Sequence, residues 1–320
     1  MTWWQDLVRA GAVPGSGSAS DEPEAAARAE LVEDGELQAH PIPQRATAPR
    51  ASFLNGVERW SVRAYDGVIP VVDACVAAAV RRRDDQRVLH TSAVRQRRFA
   101  VAALDSMTPH LRALLDGGAG DVEPVDAEFV GQPARYLEQV ESVVRRARAH
   151  LERELAEAAL ADLAGDEWLV LDGLLSRSPA VARHPRALGV IKSHGAQFLE
   201  GRGLERALTL PAGHRTSVFA VTGGHTRTET YSWYLRLWPW EGNDLLYGLL
   251  RVEARAHPET AAQASALSGW LWAERAPLAT PATRWDRLLY PLHQVEEYLN
   301  ALAPRDLHPQ RASRLPRLAS

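Results

Sequence analysis

From Pro133 the chain reads "PARYLEQVESVVRRARAHLERELAEAAL", with Leu137, Val140, Val144, Leu151 and Leu155 on one side of a long helix. Two short, nearly unbroken apolar runs come after it, "EWLVLDGLL" and "ALGVIKSH". A strand without polar alternation is buried on both faces, as in a sheet covered by helices. Ahead of the helix, residues 52–66 read as one long strand or a hairpin. "PVVDACVAAAVRRR" reads as an alanine-rich helix, with Pro70 in its first turn and arginines in its last. "RVLHTSAV" and "RRFAVAAL" read as two strands joined by a short turn. Further strands are expected in "RTSVFAV", "TYSWYLRLW" and "LLYGLLRVEA", and helices over 259–274 and 286–302 close the body. Strands, then a long helix, then buried strands predict one α/β domain over 51–302, a mixed sheet with helices packed on it.

The ends differ from this body. "GSGSASDEPEAAARAE", from Gly15, is polar and small-residue rich, and the irregular stretch extends to Arg50. Residues 1–13 suit a short amphipathic helix that docks on the body or on a partner. "APRDLHPQRASRLPRLAS" reads as a tail over 303–320. At 320 residues with a formal charge of −3, the chain has no global basic field, so any nucleic-acid binding must use local patches. The single cysteine, Cys75, rules out an internal disulfide framework and fits a reducing compartment; in "VVDACVAAAV" it reads as a buried structural thiol. No run approaches a membrane span, so a soluble, cytoplasmic protein is expected.

Two stretches share a strand-then-glycine form, "FLNG" at 53–56 and "VLDG" at 170–173. Asp172 ends an apolar strand, where ligands gather in open α/β sheets. Its carboxylate can hold a divalent cation or cap the following turn. Asn55 is its neutral counterpart, and Asn-Gly is also a favoured hairpin turn. On the long helix, Glu152 and Glu154 are interleaved with Arg148 and Arg153, a pattern shared by ordinary solvated faces. Lys192 is the only lysine among 37 basic residues and directly follows an apolar strand. A lysine there can bind phosphate oxygens or simply reach solvent. His293 follows Pro291-Leu292 near a helix start, and the 11 histidines show no zinc spacing. Arg81, Arg82 and Arg83, with Trp233, Trp238 and Trp240, could contact DNA, but arginine runs carry little weight in so arginine-rich a chain. "GRG" at 201–203 is too short for a phosphate loop, and no Walker motif occurs.

In order, "FLNG", "RAHLERELAEAAL", "VLDGLL", "GVIKSH", "LLRVEA" and "LYPLHQ" resemble the NurA nuclease family across about residues 50–302. The resemblance implies a ribonuclease H-like mixed sheet and a Mn2+- or Mg2+-dependent DNA nuclease. It further implies a homodimer working with a HerA-type hexameric ATPase in DNA end processing or antiphage defence. Carried over by position, Asp172 and Glu152 are metal ligands, with Glu154 as the fallback for Glu152. Lys192 is the strand-end lysine, and His293 a C-terminal site residue. The chain departs from the pattern at the first ligand position, where Asn55 stands for an acidic residue. An amide offers one neutral oxygen and an NH2 that repels a cation, so metal binding and catalysis should be impaired. The alternatives are an inactive nuclease-like subunit and a non-catalytic DNA-binding adaptor of the translocase.

Overall fold

The computed structural model describes residues 3–11, 13–14, 28–43, 48–118, 120–194, 198–222, 228–277 and 285–307. The N-terminal part holds α1 (Trp3–Arg9), β1 (Val13–Pro14), β2 (Arg28–Leu31) and β3 (Ala39–Pro41). Three long strands follow, β4 (Ala51–Asp66), β5 (Ile69–Arg83) and β6 (Leu89–Ala102), then α2 (Pro109–Gly118), β7 (Val122–Pro124) and α3 (Pro133–Ala161). Next come β8 (Trp168–Asp172), α4 (Pro179–Ala182), β9 (Ala187–Ile191), α5 (Gly201–Leu208), β10 (His214–Thr216) and β11 (Phe219–Thr222). The chain closes with β12 (Thr230–Arg236), β13 (Leu249–Arg255), α6 (Pro258–Ala273), a 3-10 turn at Trp285–Arg287, and α7 (Tyr290–Leu302).

Among the described residues the strands form one mixed sheet, with main order β2-β11-β12-β13-β9-β8-β4-β5-β6-β7. β4, β5 and β6 are an antiparallel meander, whereas β8 runs parallel to both β4 and β9. Helix α3 provides the long crossover before β8 and covers one face, where Leu151, Leu155 and Leu160 pack on Leu54, Ala78, Val80, Leu169 and Leu171. On the other face, α7 sets Leu292, Val295 and Leu299 against Phe53, Val57, Ala77 and Ala79. Truncating one of these fully buried leucines to alanine costs about 2–5 kcal/mol.

Four readings of the sequence are corrected here. "PVVDACVAAAVRRR" is the central strand β5 and not a helix. It is buried on both faces, so it shows no alternation to betray a strand. Its alanines let α3 and α7 approach closely, and that packing overrides their helical preference. "RVLHTSAV" and "RRFAVAAL" form one continuous strand, β6, without an intervening turn. The polar run that suggested a turn is held by ion pairs: Arg95 with Glu154, Arg97 with Asp121 and Glu123, and Arg98 with Asp73. Within the stretch read as irregular, β2 and β3 join the sheet, while residues 15–27 and 44–47 lie outside the described ones. "RTSVFAV" divides into β10 and β11.

The termini are also tied down. Helix α1 packs on α2 and β4, with Leu7 buried and Trp3 against Gly118, so this segment docks on the body. At the other end Ala303 and Leu307 are buried, and Arg59 donates to the Leu307 carbonyl. Arg63 and Arg98 bridge Asp306 to the buried Asp73. Residues 303–307 therefore belong to the body, and the rest of the expected tail lies outside the described residues.

Gly189 in β9 sits under the turn after β8. A Cβ there would lie 2.5 Å from the Gly173 carbonyl oxygen and 3.1 Å from Leu175 Cγ. Backbone cannot yield as a flexible side chain does. Gly189→Ala should destabilise the protein by roughly 1–3 kcal/mol, read as a lower urea midpoint with the same slope. An unchanged midpoint would contradict this packing.

Candidate active-site cleft

β4 and β8 pair from Ala51↔Trp168 to Leu54↔Leu171. β8 then ends at Asp172, while β4 continues to Asp66. Carrying the register one step further sets Asn55 beside Asp172. The alternation of side chains puts both on the α7 face, with Phe53, Val57 and Val170. Lys192, two residues beyond Val190, falls on the same face. Asn55 is thus not a turn residue: β4 runs straight through it, and Asn55 and Gly56 pair with Ala79 and Ala78 of β5.

The glycine of "FLNG" has a different purpose. Its open side faces α3, where a Cβ would overlap Glu152 Oε1. Gly56 thereby lets the Glu152 carboxylate lie directly on β4. Asn55, Glu152, Asp172, Lys192 and His293 all line one cleft of about 570 Å3, in the opening where β4 outruns β8. Glu154 points elsewhere: its side chain is 41% exposed and pairs with Arg95 at 2.9 Å, so it is not the fallback ligand.

Asn55 is 5% exposed and doubly held. Its Oδ1 accepts the Gly56 N–H at 2.8 Å, and its Nδ2 donates to the Leu292 carbonyl of α7 at 3.3 Å. Lys192 Nζ donates to Asp172 Oδ2 at 2.5 Å, so this lysine is paired and not a surface one. Asp172 does not cap its own turn. The Gly173 N–H goes to the Val190 carbonyl, and the Leu175 N–H to Glu253 Oε2 at 2.9 Å. Arg251 in turn holds Glu253 at 2.6 Å. This role of Glu253 is not written in "LLRVEA", because it depends on the turn after β8 lying beside β13. Nor does the sequence single out Glu58 and Glu296: Glu58 shares Arg148 with Glu152, each at 3.6 Å, and Glu296 lines the α7 wall beyond His293. The ring of His293 takes the Trp285 indole edge-on, with centroids 5.0 Å apart.

The arginine run is structural. Arg81 lies over the Tyr298 ring, Arg82 pairs with Glu167, and Arg83 pairs with Glu274. Trp233 is a core residue whose indole N–H reaches Ser268. Cys75 is buried and free, and burial pushes its thiol up, as expected of a structural cysteine.

Where the strand ends meet α3, the hard oxygen donors of the cleft are the carboxylates of Asp172 and Glu152 and the amide oxygen of Asn55, with Glu296 on the α7 wall. They fit a divalent cation chemically, yet one of them already engages Lys192 and another the Gly56 N–H. Among the described residues, the group of His, Cys, Asp or Glu whose ligand atoms lie within 4.8 Å of one another is Glu33, Asp34 and His40, outside this cleft. Those carboxylates are already used: Glu33 takes Arg215 at 2.6 and 2.7 Å, and Asp34 takes Ser217 at 2.5 Å and His40 at 2.8 Å. They clasp the 33–40 segment onto β10. No protein-family model matches the chain, and no curated protein matches it. No helix among the described residues is long and apolar enough to cross a membrane.

Burial pushes Glu152 up to about 7; Arg148 opposes the rise, and the nearby Asp172 charge adds to it. A carboxyl raised on folding binds more protons folded than unfolded between its two values. Stability contributed by its protonated form is therefore full below about 4.5 and falls as pH rises toward 7. The fall attributable to Glu152 should be roughly 2–4 kcal/mol, and Glu152→Gln should flatten the curve in that window. Equal slopes for both proteins in urea melts across the window would overturn this reading.

Proposed function

We propose that the cleft is the phosphodiester-cleaving site of a NurA-like DNA nuclease on a ribonuclease H-like sheet, with Asn55 at one metal-ligand position. The observation that carries this is the meeting of Asn55, Glu152, Asp172, Lys192 and His293 in one cleft, from β4, α3, β8, the end of β9 and α7. The strand order β6-β5-β4-β8-β9, a meander joined through a long helix to two parallel strands, adds support.

Mn2+ or Mg2+ would be held by Asp172 and Glu152, with the Asn55 oxygen as a weak third donor, and when bound it would polarise the phosphate and activate water. The chain's own residues prepare the site. Asp172 holds Lys192 at the strand end, where its ammonium can meet a phosphate oxygen. Burial raises the Glu152 carboxyl to about 7, so near neutral pH it can both hold and release a proton, and a bound cation would favour release. Glu253 fixes the turn after Asp172 by its bond to Leu175 and so limits where that carboxylate can go. The reading extends to DNA as substrate, a homodimer and a HerA-type hexameric translocase, in end processing or phage defence.

A second reading is favoured by one bond. The Asn55 Nδ2 donates to the Leu292 carbonyl, which an aspartate could not do. On that reading the chain is a catalytically silent, DNA-binding subunit in which Asn55 ties β4 to α7.

Asn55→Asp separates the two. Its second oxygen would face the Leu292 carbonyl, so in chelator the variant should lose about 1–3 kcal/mol. Mn2+ should recover that loss, and manganese-dependent cleavage of linear DNA should appear with the ATPase present. Forms equally inert or equally active, with no Mn2+ shift in either melt, would show that position 55 is only a tether.

A further inference from the structure

The cleft holds more cations than the proposed chemistry uses, and they are not equivalent. Lys192 is neutralised by Asp172 at 2.5 Å, and Arg251 by Glu253 at 2.6 Å. Arg148 is divided between Glu58 and Glu152 at 3.6 Å each. Arg153 and Arg177 also line the cleft, yet both are exposed and neither guanidinium forms a hydrogen bond or ion pair with a described residue. They come from separate elements, Arg153 from α3 next to Glu152 and Arg177 from the turn between β8 and α4. Arg177 is near enough to Glu152 for its charge to oppose the rise of that carboxyl.

Guanidiniums on one rim of the cleft with no carboxylate partner keep their donors open to an anion from outside. Their fork of donors fits two phosphate oxygens at once, and two of them on one rim fit a polymer of phosphates. The opposite rim carries Trp285, His293 and Glu296, where an indole and an acid do not suit a second phosphate row. We propose that Arg153 and Arg177 grip the backbone phosphates of one nucleic-acid strand and hold it along the α3 rim, across the Asp172–Glu152 end of the cleft. This rests on the nuclease reading for the nature of the strand, but not for the presence of the grip.

The test is fluorescence anisotropy of a labelled single-stranded DNA oligonucleotide in chelator over a range of salt concentrations. The double variant Arg153→Ala/Arg177→Ala is compared with Arg87→Ala/Arg135→Ala. The latter removes the same charge from exposed arginines at the β5–β6 turn and the far end of α3, about 25 Å along the helix from Glu152. Two lost phosphate contacts should flatten the log Kd against log salt slope by about 1.4 and weaken binding at low salt at least about tenfold. Arg153→Lys/Arg177→Lys should recover most of the slope, and the control pair should leave it unchanged. An unaltered slope in the cleft variant, or an equal loss in the control, overturns the proposal. Calorimetric titration with Mn2+ is read separately. That titration is made on the Asn55→Asp form: arginine-dependent binding with no Mn2+ uptake by Asn55→Asp keeps the grip and removes the nuclease reading, whereas Mn2+ uptake with an unaltered slope does the reverse.

Discussion

β4 is longer than the strand beside it. It pairs with β8 for only four residues, from Ala51 to Leu54, and then continues to Asp66 along β5, its other edge met again only where β1 pairs with Ala64 and Tyr65. An unpaired strand edge inside a helix-covered sheet must be filled by side chains or left as a cleft. Here it is left open, and everything of chemical interest collects there. Asn55 is the first residue past the shared register, Asp172 the last of β8, and Lys192 the first past β9. Gly56 admits Glu152 from the opposite face, because no side chain stands in its way.

The most buried charges around that opening are arranged in closed pairs. Buried ionised groups are tolerated only when matched, and Lys192–Asp172 and Arg251–Glu253 meet that condition. Glu253 adds a mechanical role, since its second oxygen holds the backbone two residues after Gly173. Gly189 completes the arrangement by letting the Gly173 carbonyl rest on β9. Most other arginines are staples of the same kind: Arg98 holds Asp73 and Asp306, Arg215 holds Glu33, and Arg83 holds Glu274. In so arginine-rich a chain, partnership and not abundance tells which cations are available to a ligand. Arg153 and Arg177 stand out because they have no such partner and also line the cleft.

Several elements could be read from residue order because their signals are local. The period of α3, Pro133 at its first turn and the apolar runs of β8 and β9 need no neighbours to be recognised. β5 was not legible, because a strand buried on both faces and filled with alanine carries the composition of a helix. Its identity is set by β4 and β6 alongside it and by the helices above and below. β6 was misread for the opposite reason. Half of it is exposed on both faces, and its arginines find acids on α3 and β7 that no local window contains.

The sequence alone determined that Asn55 and Asp172 are counterparts in the two strand-then-glycine stretches, and that Lys192 closes an apolar strand. Those facts are local, since strand ends and glycines are written in neighbouring residues. The tertiary structure decided that β4 runs unbroken through Asn-Gly and that Gly56 serves as a seat for Glu152. It also decided that Glu154 turns away to Arg95 and that Asn55 binds a carbonyl 237 positions later. Each of these depends on how far one strand extends past another and on which helix face lies over it. Such quantities exist only once the sheet is assembled and its two faces are covered.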